Sequence, residues 1–388
     1  MDFRISDEQR AFVEAVRRVC QKDFKARAVR YLDGTWPAEN MTQLAEIGVL
    51  GMAVPQEYGG SGLGILDTVL VLEEIGKVCY VTAMAALGEV GVQTRILSTY
   101  APDSIKRRVL PRVCTGEAIL AICMTEPDAG TDVPNYKTNT DIKGDRVVLN
   151  GVKTLISRAD ISEMLVVFTR VNGVPGAAGI GCVLVPGGVK GFSAKASYHT
   201  MGGEYLCDVV FDNVELPLEN LVLRDNGMKR LLSAFNTQRC LNPAICLGLA
   251  EGALEEAVRY LRSRSAFGQK IGDFQGLRWK AADMLIEIEA GRGLLYRAAV
   301  SGDPFPDPVL AAMAKIYCNE MSIRVTSEAI QVHGGYGFTD EFPVSRFFRG
   351  TRYGSLGGGT TETLRNLVGK KLVEEMDLAT GVPGLGMF

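Results

Sequence analysis

Apolar positions recur along this chain with two different periods, and the places where the period changes divide it into three. From Ser6 to about Gly116 the spacing is helical: Phe12, Val13, Val16 and Val19 share one face, and Ile65 to Val78 repeats the pattern. Ser6 with Gln9 three residues on has the form of a capping box and predicts that the first helix starts there. The glycines of EYGGSGLG at 57–64 fit a tight connection between helices. From Ala118 to Arg224 the texture shifts to short β-branched runs, Arg146 to Leu149, Met164 to Phe168, Cys182 to Val185 and Val209 to Phe211, which predict strands. Gly144-Asp145, Asn150-Gly151, Asn172-Gly173 and Pro186-Gly187-Gly188 read as the turns between strands of a small antiparallel barrel or sandwich. Beyond Asn226 helical spacing returns over Leu247 to Leu261, Leu277 to Ala299, Val309 to Val332 and Thr361 to Met376, the pattern of a four-helix bundle. The expected class is α+β: a helical domain over 1–117, a central antiparallel β domain over 118–225 and a helical bundle over 226–388.

Charge and composition narrow the functions. A net charge of -3 without blocks of like charge does not make a nucleic-acid footprint. Nine cysteines lie scattered, and His199 and His333 are the only histidines, so no metal site is expected and the thiols read as reduced ones of a cytoplasmic protein. The amino-terminal segment lacks the apolar core of a signal peptide, and no apolar run has membrane-spanning length.

Fold class does not fix function, so the chemistry must come from motifs. MTEPDAGTDV at 124–133, RSAFGQKIGDFQ at 264–275 and QVHGGYGF at 331–338 occur in order across the chain, followed by GGGTTE at 357–362. Together these resemble the signatures of the acyl-CoA dehydrogenase family. The resemblance implies FAD, an acyl-CoA thioester substrate, a homodimer or homotetramer, and electron-transferring flavoprotein as the acceptor of a dehydrogenase. It implies that Met124, Thr125, Gly130, Thr131, Ile156 and Ser157 meet the flavin edge, where a strand end offers backbone donors and acceptors without crowding. It also implies that Arg264, Phe267, Gln275, Gln331, Gly334, Gly335 and Thr360 serve the rest of the cofactor, and that Arg239 serves the substrate. The family's aromatic residue before Ile156 is Leu155 here, and Arg158 follows Ser157. A guanidinium at that point suits an anionic reduced flavin, or else points into solvent.

The resemblance fails at the base. Dehydrogenation removes an α-proton while hydride leaves for flavin N5, which requires a carboxylate. Gly358 occupies the family's usual glutamate position, and Gln238, beside Arg239, occupies the alternative one. An amide orients a thioester but accepts no proton at neutral pH. Glu89, in the apolar stretch VTAMAALGEVGV, is the remaining candidate base; Glu362 reads as structural and His333 as architectural. SAFNTQR at 233–239, FQGLRWKAADM at 274–284 and AVSGDPFPD at 299–307 resemble 3-sulfinopropionyl-CoA desulfinases, relatives that cleave a carbon–sulfur bond without net oxidation. The arginine those enzymes direct at the sulfino group is missing from Thr82 to Ala85. Three functions follow, in this order: an acyl-CoA dehydrogenase with an unusual base, a non-oxidising desulfinase or decarboxylase-type lyase, and a flavin-binding subunit without catalysis.

Overall fold

The computed structural model describes residues 5–224 and 226–375. Met376 and residue 225, which close two of the expected segments, lie outside the described residues. The amino-terminal part forms α1 (Asp7–Val19), α2 (Lys25–Arg27), α3 (Ala38–Glu46), α4 (Ile65–Gly76), α5 (Tyr80–Val90), α6 (Val92–Tyr100) and α7 (Asp103–Cys114). Strands follow: β1 (Leu120–Cys123), β2 (Asn139–Lys143), β3 (Arg146–Ser157), β4 (Met164–Val171), β5 (Ile180–Pro186), β6 (Phe192–His199), β7 (Tyr205–Pro217) and β8 (Leu221–Leu223). The remainder is α8 (Gly227–Phe235), α9 (Gln238–Ser263), a hairpin of β9 (Ser265–Ala266) and β10 (Gln269–Lys270), α10 (Gln275–Ala299), α11 (Pro308–His333), α12 (Pro343–Thr351) and α13 (Thr361–Glu375). The predicted capping box starts α1: Gln9 N donates to Ser6 Oγ at 3.1 Å, and Ser6 N donates to Gln9 Oε1 at 2.9 Å.

Compactness groups these elements into two units that do not follow sequence order. One holds residues up to Ala28, Ile65–Ala83 and Asn236 onward; the other holds Val29–Gly64 and Met84–Phe235. In the first, α4 lies against α9, because glycines strip side chains from the contact. An added Cβ on Gly248 or Gly252 would strike the backbone of Glu73 or Lys77, and one on Gly76 would strike Ile245. Buried and half-buried charges then tie α1, α4, α9 and α10 together. Arg292 bonds Glu73 and Glu251 at 2.6 Å each, Lys77 bonds Glu74 at 3.2 Å and Glu251 at 2.5 Å, and Arg17 reaches Glu74 at 2.8 Å. Each carboxylate meets a cation, which offsets the cost of taking it out of water.

The second unit is built on one sheet ordered β6-β7-β3-β2-β4-β5-β8, with β1 also on β4. Most neighbours are antiparallel, but β1 and β2 both run parallel to β4 and share one edge of it, β1 along Met164–Val167 and β2 at Arg170 and Val171. The apolar runs of β4 and β5 are buried almost throughout and form the centre. Asn150-Gly151, expected as a turn, instead lies inside β3 as a register shift. Gly151 packs on Thr138, where a side chain would collide, so the dipeptide makes a bulge rather than a reversal. Strand β6 is exposed over most of its length, with Phe192 and Ala194 at its start packed on the core, and so left little alternating signal.

Candidate active site

In the sheet unit, the residues expected at a flavin edge gather at two neighbouring strand ends. Met124 and Thr125 directly follow β1, and Glu126 pairs with Ala129 to close a tight turn before the exposed Gly130 and Thr131. A side chain added at Gly130 would meet open space, so one side of the turn is uncovered. The turn is fixed from beneath by Lys153, a residue sequence reasoning passed over. Its fully buried ammonium donates to Met124 O and Glu126 Oε1, both at 2.8 Å, and stands 3.9 Å over the Tyr136 ring. Glu126 also accepts the backbone N–H groups of Lys137 at 2.6 Å and Thr138 at 3.1 Å. Burial pushes the Glu126 carboxyl up, but Lys153 and these donors hold it below the ordinary range. The signal was present in the sequence: Lys153 is a charge on the inward side of β3.

Thr154 N donates to Thr125 O at 2.9 Å, which brings the end of β3 beside the turn. There the strand shifts register, and Leu155 takes a left-handed backbone with φ 57 and stands half exposed. Ile156 is buried and Ser157 half-buried. An uncovered backbone turn beside a projecting apolar side chain fits the edge and face of a flavin ring.

Of the two expectations for Arg158, the course into solvent is corrected: the side chain turns into α5, donating to Ala85 O at 2.6 Å and Met84 O at 3.3 Å, and stands 3.9 Å from Glu89 Oε1. Gly88 makes the room, since a Cβ there would overlap the guanidinium. Glu89 is 1% exposed and accepts from Leu120 N at 3.2 Å. Burial raises its carboxyl to about 7, against the pull of Arg158. It lines a cavity of about 120 Å³ with Trp36, Met41, Leu50, Gly116 and Ile119, and none of the residues at 124–131 or 156–157 is in that lining. Gly88→Ala gains up to ~1 kcal/mol of helix propensity, yet the overlap with Arg158 outweighs it, and a net loss of about 1–2 kcal/mol is expected in urea unfolding. In an Arg158→Met background the same substitution should cost nothing.

In the helical unit, Gln238 and Arg239 begin α9 and are 8% exposed each. Arg239 Nη1 donates to Asn236 Oδ1 at 2.8 Å, and Asn236 Nδ2 donates to Pro306 O at 3.2 Å, so this arginine is set from behind. Gly358 has φ 77 and Gly359 φ 90. Thr360 accepts from Thr363 N at 3.3 Å and acts as the cap of α13. Lys315, on α11, donates to Gly354 O at 2.7 Å and Gly359 O at 3.0 Å; it too was missed, as a lone charge inside the apolar run of α11.

The remaining cofactor candidates stand at helix ends. Arg264 closes α9, Phe267 and Gly268 form the two-residue turn between β9 and β10 with φ 53 and 82, and Gln275 opens α10. Phe267 is 95% exposed, which rules out a core role. Gln331, Gly334 and Gly335 end α11, all exposed, and a Cβ on either glycine would meet open space. His333 between them is buried, bonded through Nδ1 to Ala329 O at 2.8 Å and stacked on Tyr260 at 4.5 Å, which joins the ends of α9 and α11. An exposed aromatic ring, an exposed guanidinium and a bare glycine turn fit the adenine and pyrophosphate of a dinucleotide.

Helices, a mixed sheet and long carboxy-terminal helices carrying these constellations define the acyl-CoA dehydrogenase fold. Family models for the amino-terminal, middle and carboxy-terminal domains of acyl-CoA dehydrogenase match residues 6–117, 121–214 and 225–373. The chain is 34% identical over 386 residues to 3-sulfinopropanoyl-CoA desulfinase of Advenella mimigardefordensis, covering 96% of this chain and 95% of that one. It is 31% identical to the short-chain specific acyl-CoA dehydrogenase of Clostridium acetobutylicum, covering 96% and 100%. Butyryl-CoA dehydrogenase of Megasphaera elsdenii superposes with a TM-score of 0.92 at 30% identity, covering 96% and 100%. The chain belongs to the acyl-CoA dehydrogenase family, whose members bind FAD. Among the described residues no helix is long and apolar enough to cross a membrane, and all nine cysteines are free.

Proposed function

We propose that this protein is an FAD-dependent acyl-CoA lyase, removing a β-substituent from a thioester without net oxidation, rather than an α,β-dehydrogenase. The observation that carries this reading is the absence of a carboxylate at both base positions, with Gly358 in a left-handed conformation that disfavours a side chain. Glu89, the remaining candidate base, is engaged by Arg158 and faces a cavity whose lining lacks the flavin-edge residues. This reverses the order in which sequence alone ranked the two activities. Bound FAD would supply an electron-poor ring beside the acyl chain. Thr125, Gly130, Thr131 and Ser157 would hold the ring edge, while Arg264, Phe267, Gln275, Gln331, Gly334 and Gly335 would hold the dinucleotide. Because these last residues are all exposed, a second copy of the chain in a homodimer or homotetramer would complete their contacts. Gln238 would orient the thioester with Arg239 beside it.

The desulfinase among its relatives suggests 3-sulfinopropanoyl-CoA as the first substrate to try. Water and the sulfinate then balance as a propanoyl thioester and hydrogen sulfite: the C–S bond breaks, a C–H bond forms, and no electron acceptor is consumed. In anaerobic mixing, turnover should release sulfite stoichiometrically while the flavin absorbance stays oxidised. A decarboxylase variant of the reading would release carbon dioxide from a succinyl-type thioester instead. Bleaching of the flavin by saturated acyl-CoAs, with electrons passed to electron-transferring flavoprotein, would make it a dehydrogenase. Isolation only in a mixed oligomer, with no turnover of any thioester alone, would make it a non-catalytic subunit.

A further inference from the structure

The stretch that carries Gly358 has little to hold it in place. Leu356 is 56% exposed and the next three residues are glycines, so from 356 to 359 no buried side chain anchors the backbone. At its start Leu356 N and Gly357 N both donate to Tyr353 O, at 2.9 and 3.0 Å, which shapes a turn. The two ends are joined by Lys315. This residue has no exposed surface, and its ammonium bridges Gly354 O and Gly359 O, while Asn319, one turn along α11, donates to the same Gly354 O at 2.7 Å. The fit is close: a side chain on Gly354 would run into Cys246 and Asn319.

A buried ammonium bound only to neutral carbonyls is a costly way to stabilise a fold. Its surroundings compensate little. From α9, Arg239 adds like charge, and the Cys246 thiol, pushed up to about 12 by burial, remains neutral; from α13, Glu362 acts from an exposed first turn. Burial therefore lowers Lys315 to about 8.

We propose that Lys315 is a positioning residue, whose ammonium staples Gly354 to Gly359 and so fixes the backbone around Gly358 for the reaction. That this backbone serves the reaction rests on the functional reading above; the staple itself does not. Charge-assisted bonds are roughly twice as strong as neutral ones, so loss of the proton above about pH 8 loosens the staple. Stability moves the other way. The folded state disfavours the protonated lysine, so between about 8 and the ordinary 10.5 the unfolded chain binds more protons, and this group's contribution to stability rises with pH. A purely structural lysine would not uncouple the two.

Hydrogen exchange of the Leu356–Thr360 amides in the full-length protein tests the staple without any substrate. In Lys315→Met, protection of this segment should fall at least ~10-fold while that of the sheet strands is unchanged. The turnover number for sulfite release from 3-sulfinopropanoyl-CoA should fall roughly 10- to 100-fold with little change in KM. In the wild type the turnover number should decline above about pH 8, and Lys315→Arg, charged throughout, should abolish that decline. Unchanged protection in Lys315→Met, or a loss spread evenly over the whole protein, would overturn the staple. If the methionine variant does not fold, wild-type protection factors decide: a loss confined to 356–360 above about pH 8 supports the staple, and a flat profile overturns it. Absence of sulfite release from the wild type would sink the functional reading, and with it the catalytic purpose of the staple, while the exchange data still decide whether the staple exists.

Discussion

Gln238→Glu should switch on dehydrogenation, and Gly358→Glu should not, although both return a glutamate to a position where the family keeps its base. Gln238 lies in regular helix at the start of α9 and is buried, and burial raises a carboxyl toward the range of a base. A glutamate there needs no backbone change. A positioned general base contributes about 10²–10⁴-fold, so flavin bleaching by saturated acyl-CoAs should rise by that order in stopped-flow. At Gly358, with φ 77, a side chain costs about 1–2 kcal/mol in local strain. The strained residue either lowers the melting temperature or moves the segment, and in neither case does the carboxylate acquire a fixed place. Equal gains from the two variants would show that backbone conformation at 358 does not control the chemistry.

Lys153→Met should be the most damaging of the substitutions considered. Methionine matches the lysine stem in volume, but it leaves the Glu126 carboxylate, 4% exposed, without its cation and frees the carbonyl of Met124. Breaking a buried pair from one side costs about 3–5 kcal/mol. Since Met124–Thr131 rests on this pair, FAD affinity should fall with stability, measured as flavin retained on gel filtration against the urea midpoint. The double variant Lys153→Met, Glu126→Gln should recover most of the stability, because no unpaired charge remains. Acid supplies an independent check. Glu126 titrates below its ordinary value of 4.5, so its contribution is intact above that pH and is lost as pH falls through the lower folded value.

Much of the fold was legible because its long elements have a single period. The spans expected from 247, 277 and 309 fall within α9, α10 and α11, the one from 361 coincides with α13 as far as Glu375, and the four strand cores fall within β3, β4, β5 and β7. Periodicity does not encode partners, and so the pairing of α4 with α9 and the parallel edges of β4 were invisible in it. Asn150-Gly151 was misread because the same dipeptide serves a hairpin and a bulge, and Thr138, distant in sequence, decides between them. At the site, residues inside motifs were easy to nominate. Lys315 and the inward course of Arg158 were not, because each acts through backbone carbonyls, which carry no sequence signature, whereas Lys153 did leave one, a charge at an inward position of β3.

The charge network joining Arg17, Glu74, Lys77, Glu251, Glu73 and Arg292 has a consequence for how the chain is made. Helix α4 leaves the ribosome roughly 170 residues ahead of Glu251, α1 earlier still, and both are further ahead of Arg292. At about 5–20 residues per second this is a delay of roughly 10–35 s, during which Glu73 and the face of α4 around Gly76 that receives α9 have no partner. The helical unit cannot close until synthesis has passed α10, so its earliest helices are the part of the nascent chain most in need of a chaperone.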